Sequence, residues 1–189
     1  MEDGKKIAVE MDNPIEKYMI YLCEIISPFL FYFNFTANLI TTIGLIFGLI
    51  AVYLIWKGYK ASAFVFFWLG YFCDCLDGYY ARRYNQRSKF GAYYDIARDW
   101  IVTSAIIIII LMKLKNSRVK LAYSITTIVL FLLMAIHMGC QEKNTPIEKQ
   151  SETLKLRQHF CPNKNDIHVT RFFGSGTFIL FQSIFILLT

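Results

Sequence analysis

Residues 74–99 run Asp74-Cys75-Leu76-Asp77-Gly78-Tyr79-Tyr80-Ala81-Arg82, then eight further residues, then Gly91-Ala92-Tyr93-Tyr94-Asp95-Ile96-Ala97-Arg98-Asp99. Apolar segments flank the stretch, Ala61 to Cys73 before it and Trp100 to Met112 after it. Four carboxylates therefore stand at the facing ends of two segments suited to lipid. A carboxylate at membrane depth costs about 3 kcal/mol by insertion scales, so it marks a functional site by default. Four close together repel one another unless cations sit between them. Hard divalent ions such as Mg²⁺ take oxygen ligands of this kind.

Helical spacing makes a single site of them. At 3.6 residues per turn Asp74 and Asp77 share one face, and Asp95 and Asp99, four apart, share a face of the next helix. Gly78 adjoins Asp77 and Ala81 lies one turn on, so a bulky group has room against the backbone. Arg82, a turn beyond Gly78, offers a fork of donors suited to phosphate. Metal-ligating carboxylates, a small-residue floor and an arginine together point to a diphosphate ester held through metal ions. The bland reading, a charge cluster anchoring helix ends at the interface, gives no reason for Gly, Ala and Arg at fixed offsets.

Outward from this stretch, the chain reads as one all-α membrane domain. It is 56% hydrophobic with mean hydropathy +0.40, which excludes an ordinary soluble enzyme class. Spans are expected near 38–56, 61–82, 90–112, 121–139 and 171–189, about five in all. Tyr18 to Phe33 is apolar but interrupted by Glu24 and Pro28, and is expected to lie on the membrane as an interfacial helix. Residues 1–37 then form an N-terminal segment plus that helix. Met1 to Pro14 is charged and carries no apolar h-region, so no cleavable signal peptide is expected. If the acidic site faces the cytoplasm, 14 of the 20 Lys and Arg lie with it, the other six being Lys57, Lys60, Lys113, Lys115, Arg118 and Lys120. That bias favours a cytoplasmic site in a multi-pass protein of some unspecified membrane. The net charge of +6 suits anionic lipid headgroups, or merely flanks the spans; no nucleic-acid partner is expected.

The remaining features carry weaker signals. The five cysteines, Cys23, Cys73, Cys75, Cys140 and Cys161, are odd in number and irregularly spaced, and read as free thiols. A zinc site from His137, Cys140, His159 and Cys161 has no regular spacing behind it. Gly44 and Gly48 read as close helix packing. Asn38 and Thr41 fit either a helix N-terminus or a nucleotide contact. Arg171 opens the last expected span, as a flank residue or a phosphate contact. Asn34-Phe35-Thr36 is a sequon beside the membrane, on the expected cytoplasmic side. Gln141 to His168 is expected as one long polar loop.

The D-x-x-D-G-x-x-A-R…G-x-x-x-D-x-x-x-D run resembles the signature of the class-I CDP-alcohol phosphatidyltransferase family, with every fixed position present. Asn38 and Thr41 also match the family's P-N-x-x-T element, with Ala37 in place of proline. The resemblance implies transfer of a phosphatidyl or phospho-alcohol group from a CDP-linked donor to an alcohol, with release of CMP. It implies Asp74, Asp77, Asp95 and Asp99 as metal ligands for Mg²⁺ or Mn²⁺, two ions in all, with Asp99 also the general base. It implies Gly78, Ala81 and Gly91 as walls of the cytidine and diphosphate pocket, Arg82 on phosphate, and Asn38 and Thr41 on the nucleotide. It further implies a homodimer among membrane lipids, and six spans, one more than are read here. The Asn85-Gln86…Phe90-Gly91-Ala92 run resembles phosphatidylinositol synthases, which makes CDP-diacylglycerol and inositol the expected pair. Tyr94 and Trp100 depart from that subgroup, where leucine and arginine are common. Ethanolamine or choline phosphotransfer to diacylglycerol stays open, as do serine and glycerol phosphate acceptors. So do a non-enzymatic cation-binding membrane protein and an inactive lipid-binding relative.

Overall fold

The computed structural model describes residues 4–147, 150 and 155–189. Among them there is no strand, and the chain is the expected all-α protein. Helix α1 spans Pro14–Tyr32, α2 Ala37–Lys57, α3 Lys60–Arg83, α4 Lys89–Lys113, α5 Ser117–Asn144, α6 Ile167–Thr170 and α7 Ser175–Leu188.

Local chemistry sets most boundaries. Asn13 Oδ1 accepts from the Ile15 amide and Pro14 supplies a preset first turn to α1. Thr36 Oγ1 caps α2, Ser88 Oγ caps α4 and Asn116 Oδ1 caps α5. Helix α2 ends on Gly58 at φ 85°, a left-handed position that glycine takes without a Cβ penalty. Asn34 and Asn85 make the other two left-handed turns, after α1 and after α3. The sequon is thus a structural turn: Asn34 bends the chain and Thr36 caps the next helix.

Among the described residues, three stretches are long and apolar enough to cross a membrane: Ala37–Lys57, Ser117–Asn144 and Lys164–Leu188. Helices α3 and α4 have the length, about 36 Å each at 1.5 Å per residue. They miss on composition, because each carries two aspartates of the site and basic residues at its ends. The last stretch does not start as one helix at Arg171. A 3-10 turn at Arg171–Phe173 precedes α7.

Helix α1 keeps Glu16, Cys23 and Ser27 inward and exposes Tyr18, Tyr21, Ile25, Phe29 and Tyr32. An outward aromatic stripe over an inward polar face suits a helix lying against lipid. Helix α2 packs along both α3 and α4. Glycines allow it: a Cβ on Gly48 would lie 2.6 Å from Val102, and one on Gly70 would meet the Gly44 carbonyl at 3.4 Å. The core at that level includes Ala51, Ile55, Phe67, Val102 and Ile106. Between α5 and α7 the buried Tyr123 hydroxyl donates to Gln182 Oε1 at 2.5 Å, satisfying a polar pair inside the bundle.

The polar loop is only partly a loop. Helix α5 continues to Asn144, and a 3-10 helix covers Lys155–Phe160; residues 148–149 and 151–154 lie outside the described ones, as do Met1–Asp3. The free-thiol expectation fails for two cysteines, because Cys140 and Cys161 form a disulfide. That joins the end of α5 to the 3-10 segment and removes both sulfurs from any zinc site; Cys23, Cys73 and Cys75 are free. His137 is buried beside Thr170, and His159 lies on that 3-10 segment.

Candidate functional site

Helices α3 and α4 bring the acidic residues together at one end of the bundle. Carboxylate oxygens of Asp74, Asp95 and Asp99 all lie within 4.8 Å of one another. Asp77, 5% exposed, sits one turn along α3 and accepts from Thr41 Oγ1 at 2.6 Å. Thr41 is thus committed to orienting a carboxylate. The cap of α2 is Thr36, so neither Asn38 nor Thr41 serves as the N-cap. A Cβ on Gly91 would stand only 2.9 Å from Asn38 Oδ1, so Gly91 admits that amide to the site.

Sequence reasoning missed Arg98. It is 5% exposed, and its Nη1 donates to Asp74 Oδ1 at 2.7 Å and to Asp99 Oδ1. Its Nη2 donates to the Gly70 carbonyl at 2.9 Å. The guanidinium reaches across because Gly44 leaves a channel: a Cβ there would stand 2.7 Å from Nη2. An arginine on the helix between two motif aspartates was the one local signal, but its reach depends on a glycine from another helix.

The donor set suits a divalent ion. It is all hard oxygen, and Asp95 Oδ1 is buried with no hydrogen-bond partner, an acceptor that needs a cation or a donor. Side-chain exposure separates the roles, since Asp99 is 51% exposed and Asp74 24%.

A cavity of about 1800 Å³ opens onto these groups. Its polar end is lined by Lys6, Arg82, Asn85 and Arg157, and its apolar depth by Ile107, Leu111, Ile128 and Phe131. Residues of α4 and α5, consecutive in the chain, both line it. Gly78 lies at the Arg82 guanidinium, with a Cβ there 3.2 Å from Nη1. Ala81 also lines the cavity. Gln86 lines the cavity too, and its Oε1 accepts from the Ala37 amide at 2.9 Å, fixing the start of α2.

The N-terminal segment, which carried no sequence signal, closes the polar end. Arg82 Nε donates to the Gly4 carbonyl at 2.7 Å, and Lys6 pairs with the buried Glu142 at 2.7 Å. Arg171 donates to the Glu10 carbonyl and lies over the Phe172 ring, so it ties the segment down. Asn13 holds the Arg171 carbonyl and Thr177 Oγ1. Glu16 accepts from Ser175 Oγ at 2.6 Å, and burial raises its pKa against that hydrogen bond. Burial also pushes Asp12 up to about 7, with Glu16 adding to the rise and Arg82 and Lys6 opposing it. Burial lowers Lys6 despite its Glu142 partner.

With this geometry described, comparison with known proteins gives the family. The model described as CDP-alcohol phosphatidyltransferase matches residues 34–188. The CDP-diacylglycerol–inositol 3-phosphatidyltransferase of Candida albicans is 33% identical over 76 residues, 40% of this chain and 33% of that protein. CDP-diacylglycerol–inositol 3-phosphatidyltransferase 1 of Arabidopsis thaliana is 39% identical over 46 residues, 24% of this chain and 20% of the relative. An uncharacterized Aquifex aeolicus protein is 33% identical over 82 residues, 42% of each chain. The matched stretches thus span less than half the length of these relatives. No solved structure matches the chain. The chain belongs to the CDP-alcohol phosphatidyltransferase family.

Proposed function

We propose that this membrane protein transfers a phosphatidyl group from CDP-diacylglycerol to an alcohol with release of CMP, and that the alcohol is inositol. The observation that carries the transfer reading is the convergence of Asp74, Asp95 and Asp99 within 4.8 Å inside a cavity floored by Gly78 and Ala81. The inositol reading rests on partial similarity to two inositol phosphatidyltransferases. The cavity has space for a nucleotide at its polar end and apolar depth for acyl chains between α4 and α5.

Asp74, Asp77, Asp95 and Asp99 would hold Mg²⁺ or Mn²⁺, two ions by family resemblance. Bound metal supplies charge stabilisation to the phosphates and to the attacking and leaving oxygens. The chain's own residues do the rest. Arg82, held at Nε by Gly4, turns its remaining donors to the cavity over Gly78, where a diphosphate would lie. Gly78, Ala81 and Gly91 leave room for the cytidine, and Asn38 offers its amide there. Thr41 keeps the Asp77 carboxylate in one orientation. Asp99, the more exposed of the two Arg98-paired carboxylates, accepts the proton of the attacking hydroxyl. The site faces the cytoplasm on the basic-residue bias, with α3 and α4 spanning and residues 1–189 forming one domain that works as a homodimer.

The test uses purified protein with Mn²⁺, labelled CDP-diacylglycerol and a panel of inositol, serine, glycerol phosphate and, with CDP-choline or CDP-ethanolamine, diacylglycerol. Labelled phosphatidylinositol with CMP release supports the full reading. Transfer only to another acceptor overturns inositol and keeps the family chemistry.

A further inference from the structure

We propose that Arg98 is a built-in counter-cation that competes with divalent metal for Asp74 and Asp99, and so sets how tightly the site holds metal. This rests on the reading that these carboxylates hold metal. Arg98 is not one of the eight fixed motif positions, yet its guanidinium stands inside the acidic cluster. Nη1 bonds both Asp74 Oδ1 and Asp99 Oδ1, while Nη2 is anchored on the Gly70 carbonyl.

Three features make it a competitor rather than a flank charge. A guanidinium stays protonated at any working pH, so its charge cannot be switched off. It is 5% exposed, which leaves little water to screen it from an arriving ion. It is held by a route through the protein, past Gly44 and onto the backbone of α3, so it cannot simply swing into solvent. An ion drawn to Asp74 and Asp99 therefore meets a fixed positive charge already bonded to both. Asp95 is different: Arg98 makes no bond to it, and its Oδ1 is buried without a partner. Metal enters through Asp95, and each further contact to Asp74 or Asp99 is made against the guanidinium.

The coupling is reciprocal: whatever metal loses to Arg98, the Arg98 pairs lose to metal. Without metal, Arg98 is what holds the repelling carboxylates together. With metal, that duty passes to the ion.

Mn²⁺ titration of the purified full chain, read by the free-ion EPR signal without substrate, tests this. Arg98→Gln should bind Mn²⁺ about tenfold more tightly than wild type, a coupling of ordinary size. Its melting temperature in chelator should fall, and Mn²⁺ should raise it by more than it raises wild type. Arg98→Lys keeps the charge and should stay near wild-type affinity. Asp95→Asn should weaken Mn²⁺ binding with or without Arg98. Equal or weaker Mn²⁺ binding by Arg98→Gln overturns the proposal and leaves the metal site standing. An Arg98→Gln protein that stays unfolded even in Mn²⁺ also overturns it, since metal should replace the lost charge. A wild type that binds no Mn²⁺ overturns both the metal site and this inference.

Discussion

At the scale of single residues, position 41 shows how a side chain serves the site from the second helix. The Thr41 hydroxyl donates to the buried Asp77 carboxylate. Losing such a bond leaves a buried acceptor short of a partner, worth about 1–3 kcal/mol. Thr41→Val should therefore cut turnover by roughly 5- to 150-fold on that figure, while Thr41→Ser keeps most of it; steady-state CMP release on the two variants checks this. Gly78→Leu should abolish nucleotide binding while the chain still inserts, because Arg82 Nη1 already lies 3.2 Å from the place a Cβ would take. Membrane-extracted Gly78→Leu protein that binds CDP like wild type would contradict the pocket. The motif aspartates were legible because charges and small residues at fixed offsets in apolar sequence are costly in lipid without a ligand to hold. Arg98 was not, because its place between two motif aspartates does not declare a reach that depends on Gly44 of another helix. Gln86 has a structural contact that its loop sequence does not declare: its Oε1 holds the Ala37 amide at the start of α2.

At the scale of elements, α2, α3 and α4 begin and end within one residue of the expected stretches, while α5 runs four residues earlier and five later than expected and α7 starts four residues later. Apolar runs and side-chain caps carry that information locally. The N-terminal segment carried none, because its role comes from contacts with α3, α5 and α7 far along the chain. Gly4 lies so close to Tyr79 that a Cβ would stand 2.8 Å from the Tyr79 carbonyl. Gly4→Ala should displace the carbonyl that holds Arg82 and weaken CDP binding several-fold, which calorimetry would measure. The same segment gives a pH signature. Asp12 carries a pKa of about 7 against an ordinary 3.8, so between those values the folded chain keeps a proton that the unfolded chain has lost. Its contribution to stability is therefore full at the acid end, falls as pH rises through 7 and is flat above that. Asp12→Asn should remove this slope, melting several degrees above wild type at pH 8 and no higher at pH 4. Thermal melts in detergent at both pH values check the sign. The Cys140–Cys161 link was beyond the sequence for a different reason, since five cysteines do not declare which two meet.

At the scale of the whole molecule, acidic and apolar chemistry meet in one cavity. The polar end gathers carboxylates from α3 and α4, an arginine from each, and a lysine from the N-terminal segment. Apolar residues of α4 and α5 line the same cavity, so its lining suits a ligand with a charged head and lipid tails. The proposed phosphatidyl transfer uses Gly78, Ala81 and Arg82, for which simple cation binding has no need. The most direct measurement is CMP release from CDP-diacylglycerol and inositol by the purified chain, run with Mn²⁺, with excess chelator, and with Asp95→Asn in place of wild type. The account predicts CMP and phosphatidylinositol in equal amounts from wild type with Mn²⁺, and background in the other two. Undiminished turnover in chelator, or by Asp95→Asn, would contradict it.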